Sequence, residues 1–204
     1  MRNRRCILCF KDQNNGAKLS DLFIWRDNLC PSCRRQFKKT NEKFKVLGVC
    51  GVALYVYDDF FSDVLVQYKE AMDEKLAPIF LQKQRWYLTL RYRGYTIVNV
   101  PSTKEKREIR GFCHITKMVG VLELPVLDCL YKDTTQKQAF ASKWQREKMK
   151  NKIKCKPLVK VPKKVLLVDD VYTTGSTMEG SILALGNLGI KIRILVVAKV
   201  ENKL

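Results

Sequence analysis

Val165-Leu166-Leu167-Val168-Asp169-Asp170 constrains this chain more than any other stretch. Four consecutive branched aliphatics leave no polar face, so the segment reads as a strand buried on both sides, as in a parallel sheet. It ends in two carboxylates, where open α/β sheets bind their ligands, beyond the carboxyl ends of the strands. Then come Val171-Tyr172-Thr173-Thr174-Gly175-Ser176-Thr177, with a helical pattern beginning near Thr177. Free amides at a helix N-terminus attract a phosphate, and a glycine lets the backbone approach it closely. Thr173, Thr174, Ser176 and Thr177 add hydroxyl donors. The acidic pair then faces a sugar's hydroxyls, a bound Mg²⁺, or both. The plainer reading is a strand end whose Asp and Thr cap the next helix. It does not account for two Asp, two consecutive Thr and Gly-Ser-Thr in one turn. No Gly-Lys-Ser/Thr follows, which excludes a Walker A loop.

This stretch resembles the signature that binds phosphoribosyl pyrophosphate (PRPP) in type I phosphoribosyltransferases: four apolar residues, then Asp-Asp-x-x-Thr-Thr-Gly-x-Thr. It matches at every specified position. The resemblance implies an α/β fold, a mostly parallel sheet flanked by helices. It also implies Mg²⁺–PRPP with its 5′-phosphate on Thr173, Thr174, Gly175, Ser176 and Thr177 and its ribose hydroxyls on Asp169 and Asp170. Strand patterns at 96–100, 125–131, 164–168 and 190–200, mostly separated by helical ones, argue the same sheet independently. The helical patterns cover 60–71, 76–90, 112–122 and 178–188, and 46–57 reads as a strand or hairpin. In the first helix Phe61, Val64, Leu65 and Tyr68 follow helical spacing. In the second, Trp86 and Tyr87 are assigned to the core or a domain interface rather than to base stacking.

Near the start, Cys6-x-x-Cys9 and Cys30-x-x-Cys33 stand twenty residues apart. Two such knuckles at this spacing suit a tetrahedral four-cysteine zinc site with no open position, hence a structural one. The expectation is a zinc ribbon over 1–45, followed by the transferase-like body over 46–204. Cys50, Cys113, Cys129 and Cys155 are scattered singly, and buried free thiols are expected at each. Arg34-Arg35 and Lys38-Lys39 follow the second knuckle, where they serve either nucleic acid or charge balance at the thiolates.

A net charge of +19 in 204 residues points to polyanionic partners. Twelve Lys and Arg against two acids fall between Lys132 and Lys164, which reads as a mobile basic arm. No apolar run approaches the ~20 residues that span a bilayer. The basic N-terminus lacks the ~7–15-residue apolar core of a signal peptide. The expected setting is cytoplasmic, with recruitment to the inner face of the membrane left to partners.

Further segments are similar to the ComF family of competence-associated, phosphoribosyltransferase-like proteins. Tyr68-Lys69-Glu70-Ala71-Met72-Asp73 matches the family's apolar-Lys-Tyr-x-Gly-Asp at Lys69 and Asp73, with Met72 where glycine is usual. Val100-Pro101 and Arg110-Gly111-Phe112 match Val-Pro…Arg-Gly-Phe, with Cys113-His114 in place of Asn-Gln. The resemblance implies that Lys69, Arg107 and Arg110 stabilise the departing pyrophosphate, while Asp169 and Asp170 favour the reacting sugar. His114, a lone histidine at a helix start, is left outside the site. The resemblance also implies a role in DNA uptake during natural transformation, with single-stranded DNA and a competence helicase or ATPase as partners. A homo-oligomer is left open. The alternative is a catalytically silent transferase scaffold, an adaptor for single-stranded DNA and an ATPase.

Overall fold

β-Branched runs and alternation decide where the strands lie. The computed structural model describes residues 5–13, 28–102, 108, 111–133, 153–186 and 188–201. Six strands share one sheet: β1 (Lys39–Val46), β2 (Val49–Val56), β3 (Thr96–Asn99), β4 (Val126–Leu127), β7 (Lys164–Tyr172) and β8 (Lys191–Lys199). β5 (Leu130–Lys132) and β6 (Ile153–Cys155) pair antiparallel in a sheet of their own. The large sheet runs β1-β2-β8-β7-β3-β4, with β1 antiparallel to β2 and every other pair parallel. The fold is therefore α/β with a mixed, mostly parallel sheet.

The helices are α1 (Pro31–Gln36), α2 (Asp59–Glu70), α3 (Arg85–Arg91), α4 (His114–Val119) and α5 (Ser176–Gly186). One sheet face, carrying Leu54, Leu166, Val168, Leu195 and Val197, packs against α2, α4 and the 3₁₀ segment Glu74–Phe80. The other, carrying Val165, Leu167, Ile194 and Val196, packs against α5 through Met178, Ile182 and Leu185. Alternate residues of β7 and β8 thus enter opposite cores, which explains why both strands are apolar throughout their middles.

Helix α2 buries Phe61, Val64, Leu65 and Tyr68, the four positions its spacing singles out. Asp58 caps it, accepting from the Phe61 amide at 3.0 Å. The helix expected over 76–90 is instead two 3₁₀ segments followed by α3, because Pro78 lies within the first of them and removes a backbone donor. Its apolar pattern divides accordingly. Leu76, Ile79, Phe80 and Leu88 are buried, whereas Trp86 is 81% exposed and Tyr87 and Leu90 lie open. Trp86 and Tyr87 are not core residues.

Other expectations are also revised. β1 begins at Lys39, among the basic residues that follow the second knuckle and ahead of the strand expected from 46, and it carries the chain into the sheet across position 45. The strand expected over 125–131 is split, since β4 joins the large sheet and β5 turns away to pair with β6. β6 lies in the segment that reads as a mobile arm, yet Ile153 is buried in the α5 core. Residues 134–152 of that arm are outside the described residues. Of the scattered thiols, only Cys129 is buried, and Cys50 on β2 is exposed. No helix among the described residues is long and apolar enough to cross a membrane.

Phe37 ties the cysteine segment to the sheet. It follows α1 directly and meets Tyr55, Phe60, Phe61 and Phe80 edge-on, with centroids 5.2–6.4 Å apart. Cys6, Leu29, Cys30 and Cys33 join the same core. Phe37→Ala should lower the unfolding free energy by about 3–5 kcal/mol, read from urea unfolding. A loss under about 1 kcal/mol, the size of a surface change, would show that the N-terminal segment is not anchored through this ring.

Candidate functional site

β7 outruns its neighbour. β3 ends with Asn99 opposite Val168, while β7 continues to Tyr172, paired with β8 only. Asp169 and Asp170 therefore sit inside the strand rather than at its end, with one side open beyond the end of β3. There they line a cavity of about 160 Å³ with Lys69, Ser102, His114, Lys132 and Thr177. Alternation sends the two side chains to opposite faces. Asp170 turns toward α2 and α4, and Asp169 toward the α5 side.

Lys69, in the last turn of α2, forms an ion pair with Asp170, and His114 Nε2 lies 2.9 Å from the same oxygen, Oδ2. Both partners reach it because α2 and α4 are pinned together: the Tyr68 hydroxyl donates to the His114 carbonyl at 2.6 Å. The other Asp170 oxygen accepts from the Val171 amide at 2.6 Å. Burial alone would raise the pKa of both acids. At Asp170, the His114 imidazole and Lys69 ammonium overcome burial and hold the carboxyl well below the usual range. At Asp169, burial and the neighbouring Asp170 charge prevail, and its pKa is pushed up. One carboxylate is therefore firmly ionised while its neighbour resists ionisation.

The turn after β7 keeps its donors. Among the described residues, no acceptor takes the amides of Ser176, Thr177 or Met178, and the first helical bond of α5 runs from Glu179 N to Gly175 O at 2.8 Å. Thr173, Thr174 and Ser176 are exposed, and the Thr174 and Ser176 hydroxyls bond each other at 3.0 Å. Gly175 adopts φ +80°, and a Cβ there would fall 2.4 Å from the Tyr172 hydroxyl. Its glycine is thus needed for the left-handed turn and for Tyr172, in addition to any ligand.

Of the residues picked from sequence, the cavity unites Asp169, Asp170, Lys69 and Thr177. Thr173, Thr174, Gly175 and Ser176 form the adjoining turn, while Arg107 and Arg110 are outside the described residues. His114 and Lys132 join the site, and sequence reasoning misses both. Lys132 reads only as part of the basic excess, and a lone histidine carries no pattern. Met72 adopts φ +55°, the left-handed conformation that glycine takes freely, so the turn after Lys69 persists without the glycine.

At the other end of the core, Cys6, Cys9, Cys30 and Cys33 place all four sulfurs within 4.8 Å of one another. A tetrahedral zinc with ~2.3 Å bonds needs sulfurs about 3.8 Å apart, and Cys9 and Cys30 are 3.6 Å apart. Cys30 also caps α1, accepting from the Cys33 amide at 3.5 Å. The set fits a metal ion. Burial, followed by the crowding of neighbouring sulfurs, raises the Cys33 thiol far above its usual range, a cost that a cation would reverse. Arg34 is buried and donates to the Leu29 carbonyl at 2.9 Å, so it serves the loop here rather than a ligand.

A sequence profile described as a phosphoribosyl transferase domain matches residues 124–203, which include β7, the acidic pair and α5. The competence protein ComFC of Streptococcus pneumoniae (strain ATCC BAA-255 / R6) is 26% identical over 200 residues, covering 85% of this chain and 90% of that protein. The chain is distantly homologous to the ComFC competence proteins. ComFC of Bacillus subtilis (strain 168) is 23% identical over 175 residues, covering 85% of this chain and 68% of that protein. A hypoxanthine phosphoribosyltransferase from Staphylococcus aureus aligns over 60% of this chain and 62% of its own, at 15% identity and a TM-score of 0.38.

The split acidic pair predicts opposite responses to isosteric substitution in the ligand-free protein. A native carboxyl with a raised pKa binds more protons than the unfolded chain, so its contribution to stability falls as pH rises from about 4. A depressed one contributes stability that is present at neutral pH and lost only in acid. Asp169→Asn should therefore raise the melting temperature at pH 7, and Asp170→Asn should lower it by leaving Lys69 and His114 unpaired. Calorimetric melting at pH 5 and 7 checks both signs. Shifts of the same sign in the two variants would contradict the split.

Proposed function

We propose that this chain binds PRPP with Mg²⁺ at the carboxyl end of β7 and acts in DNA uptake during natural transformation, together with single-stranded DNA and a competence ATPase. The observation that carries the reading is the juxtaposition of Asp169 and Asp170 with the unpaired amides that open α5. A sugar phosphate needs both halves: acceptors for its vicinal hydroxyls and donors for its phosphate. The 5′-phosphate would lie on the 173–177 turn and the ribose hydroxyls on the acids. When bound, Mg²⁺ would neutralise the pyrophosphate and polarise its bond to the sugar.

The ligand-free geometry says what binding has to change. Lys69 occupies the Asp170 oxygen that a ribose hydroxyl or Mg²⁺ would take. Its ammonium must swing away, and the leaving pyrophosphate is the anion best suited to receive it. Arg107 and Arg110 remain assigned to the same anion. His114 stays beside Asp170, holding it ionised and oriented. The cavity, smaller than the ~300 Å³ at which small-molecule sites begin, would widen as Lys69 leaves.

Zinc is the metal proposed for the four cysteines, where it would carry a structural load, since the cluster sits in the core shared with Phe37. The division at 45/46 into a metal-holding segment and a transferase-like body belongs to the same reading. A second reading, a silent scaffold that adapts single-stranded DNA to an ATPase, is favoured by one observation: the Asp170 Oδ2 that a ligand would need already faces Lys69 and His114.

Isothermal calorimetry with PRPP and Mg²⁺ should show Mg²⁺-dependent binding to the wild type and none to the Asp169→Asn/Asp170→Asn protein. No heat from folded wild-type protein sinks the PRPP site. Released pyrophosphate then separates an enzyme from a scaffold. Metal analysis should find one zinc per chain, and Cys33→Ser should lower both zinc content and melting temperature. A metal-free protein that melts no earlier would remove the structural zinc.

A further inference from the structure

A second cavity is larger than the one at the acidic pair. It measures about 560 Å³ and lies on the sheet face that carries Leu195, toward the starting end of β8, where β1, β2 and β8 meet the end of α3. Lys43, Lys45, Arg91 and Arg193 line it, with Tyr92 as its principal aromatic wall and no carboxylate among its lining residues. Strand register places it. Lys43 is paired with Val52, Val52 with Leu195, and Arg193 stands two residues earlier on the same face. Asp169 is level with Val196, so Arg193 lies about 10 Å further back along the strands at ~3.3 Å per residue. This is the opposite end from the acidic pair. Lys43, Lys45 and Arg193 form no ion pair with a carboxylate of the described residues, unlike Lys38, Lys117 and Lys199.

The cavity continues onto α3. Arg91 is held between two rings, 5.6 Å from the Tyr87 centroid and 5.7 Å from that of Tyr92, and it donates to the Tyr87 hydroxyl at 2.7 Å. Near the start of the helix, Arg85 lies 5.3 Å from the Trp86 ring. Trp86 is the most exposed aromatic among the described residues, and Tyr87 beside it is 55% exposed. A ring this open costs apolar hydration unless something covers it.

We infer that this surface binds single-stranded DNA, with phosphates in the four-cation cavity and bases stacked on Trp86 and Tyr87. The inference rests on the single-stranded-DNA half of the reading above and supplies its location. Cations alternating with flat rings match the alternation of phosphate and base along an unpaired strand. An acidic peptide offers the charge without the rings. A duplex keeps its bases stacked on one another and cannot use Trp86. Neither the acidic pair nor the cysteine cluster takes part, so the surface is independent of sugar-phosphate binding.

The test is fluorescence anisotropy of a labelled oligo-dT 20-mer from low to physiological salt, using the full chain. Lys43→Ala/Lys45→Ala/Arg193→Ala should flatten the slope of log affinity against log salt by about 2, at ~0.7 for each phosphate no longer neutralised. Trp86→Ala should weaken binding at least about fivefold with little change in slope, because stacking is not ionic. None of the four side chains is buried, and unchanged melting curves confirm that the variants fold. Asp169→Asn/Asp170→Asn should bind the oligonucleotide as the wild type does. Wild-type affinity and slope in both surface variants would overturn this inference alone, and a change of sedimentation in Trp86→Ala would then assign the patch to protein contact. Wild type that fails to bind the 20-mer would remove the DNA half of the earlier reading too, leaving PRPP binding untouched. Free thymidine monophosphate competing as well as the oligomer, nucleotide for nucleotide, would replace the strand with a mononucleotide and overturn it also.

Discussion

Two adjacent carboxylates inside a buried strand are an electrostatic liability, and the surrounding structure is arranged to neutralise one of them. Asp170 cannot remain ionised near the core without Lys69 and His114, and those arrive from different helices, α2 and α4. The Tyr68–His114 hydrogen bond locks those helices to each other, and Tyr68 is fully buried on the α2 face that packs against the sheet. The site's charge balance is thus built into the core. Asp169, by contrast, has its cations at greater distance, which leaves it dependent on what enters the cavity.

The cysteine cluster is under a similar constraint. Four sulfurs held within 4.8 Å and mostly buried are unfavourable as bare thiolates and poor as packing. Their position in the core with Phe37 and Phe61 means that whatever stabilises the cluster also fixes α1 and the start of β1. β1 then closes the sheet edge, and its Lys43 and Lys45 wall the basic cavity. A change at the cysteines would therefore be transmitted to the lysines of an edge strand rather than to the acidic pair, which lies beyond β8 on β7.

What could be read from the sequence follows from how local each signal is. The buried face of α2 was legible because four apolar residues at helical spacing stand among polar ones. β7 was legible because a run of branched aliphatics has few other uses. β1 was missed although Phe44 and Val46 alternate with lysines, since an edge strand that guards itself with charge resembles a basic tail. Trp86 and Tyr87 escape this reading because apolar spacing cannot tell one continuous helix from two 3₁₀ segments, the first containing Pro78, followed by the short α3, on which both rings are exposed. His114 was invisible as a partner of Asp170 because the two residues stand far apart in the chain. No spacing rule reaches across a fold. Only the substitution of an imidazole where the ComF pattern has a neutral amide marked the position.

The excess of positive charge is also better placed than its total suggests. Several cations are committed: Lys69 to Asp170, Lys199 to Glu42, Lys38 to Asp58, and buried Arg34 to a loop carbonyl. With their charges paired or turned inward, they contribute less to an outside field. Lys43, Lys45 and Arg193 form no ion pair with a carboxylate of the described residues, and they share one concave face with Arg91, whose guanidinium packs on the half-exposed ring of Tyr87. Field lines concentrate in such a cleft, so three or four cations there attract a polyanion more strongly than the same number scattered over the surface. Sheet polarity then separates the two charges. The carboxyl end of β7 gathers the acidic pair beside the free amides that open α5, while the cavity at the opposite end of β8 is lined by Lys43, Lys45, Arg91 and Arg193 with no carboxylate.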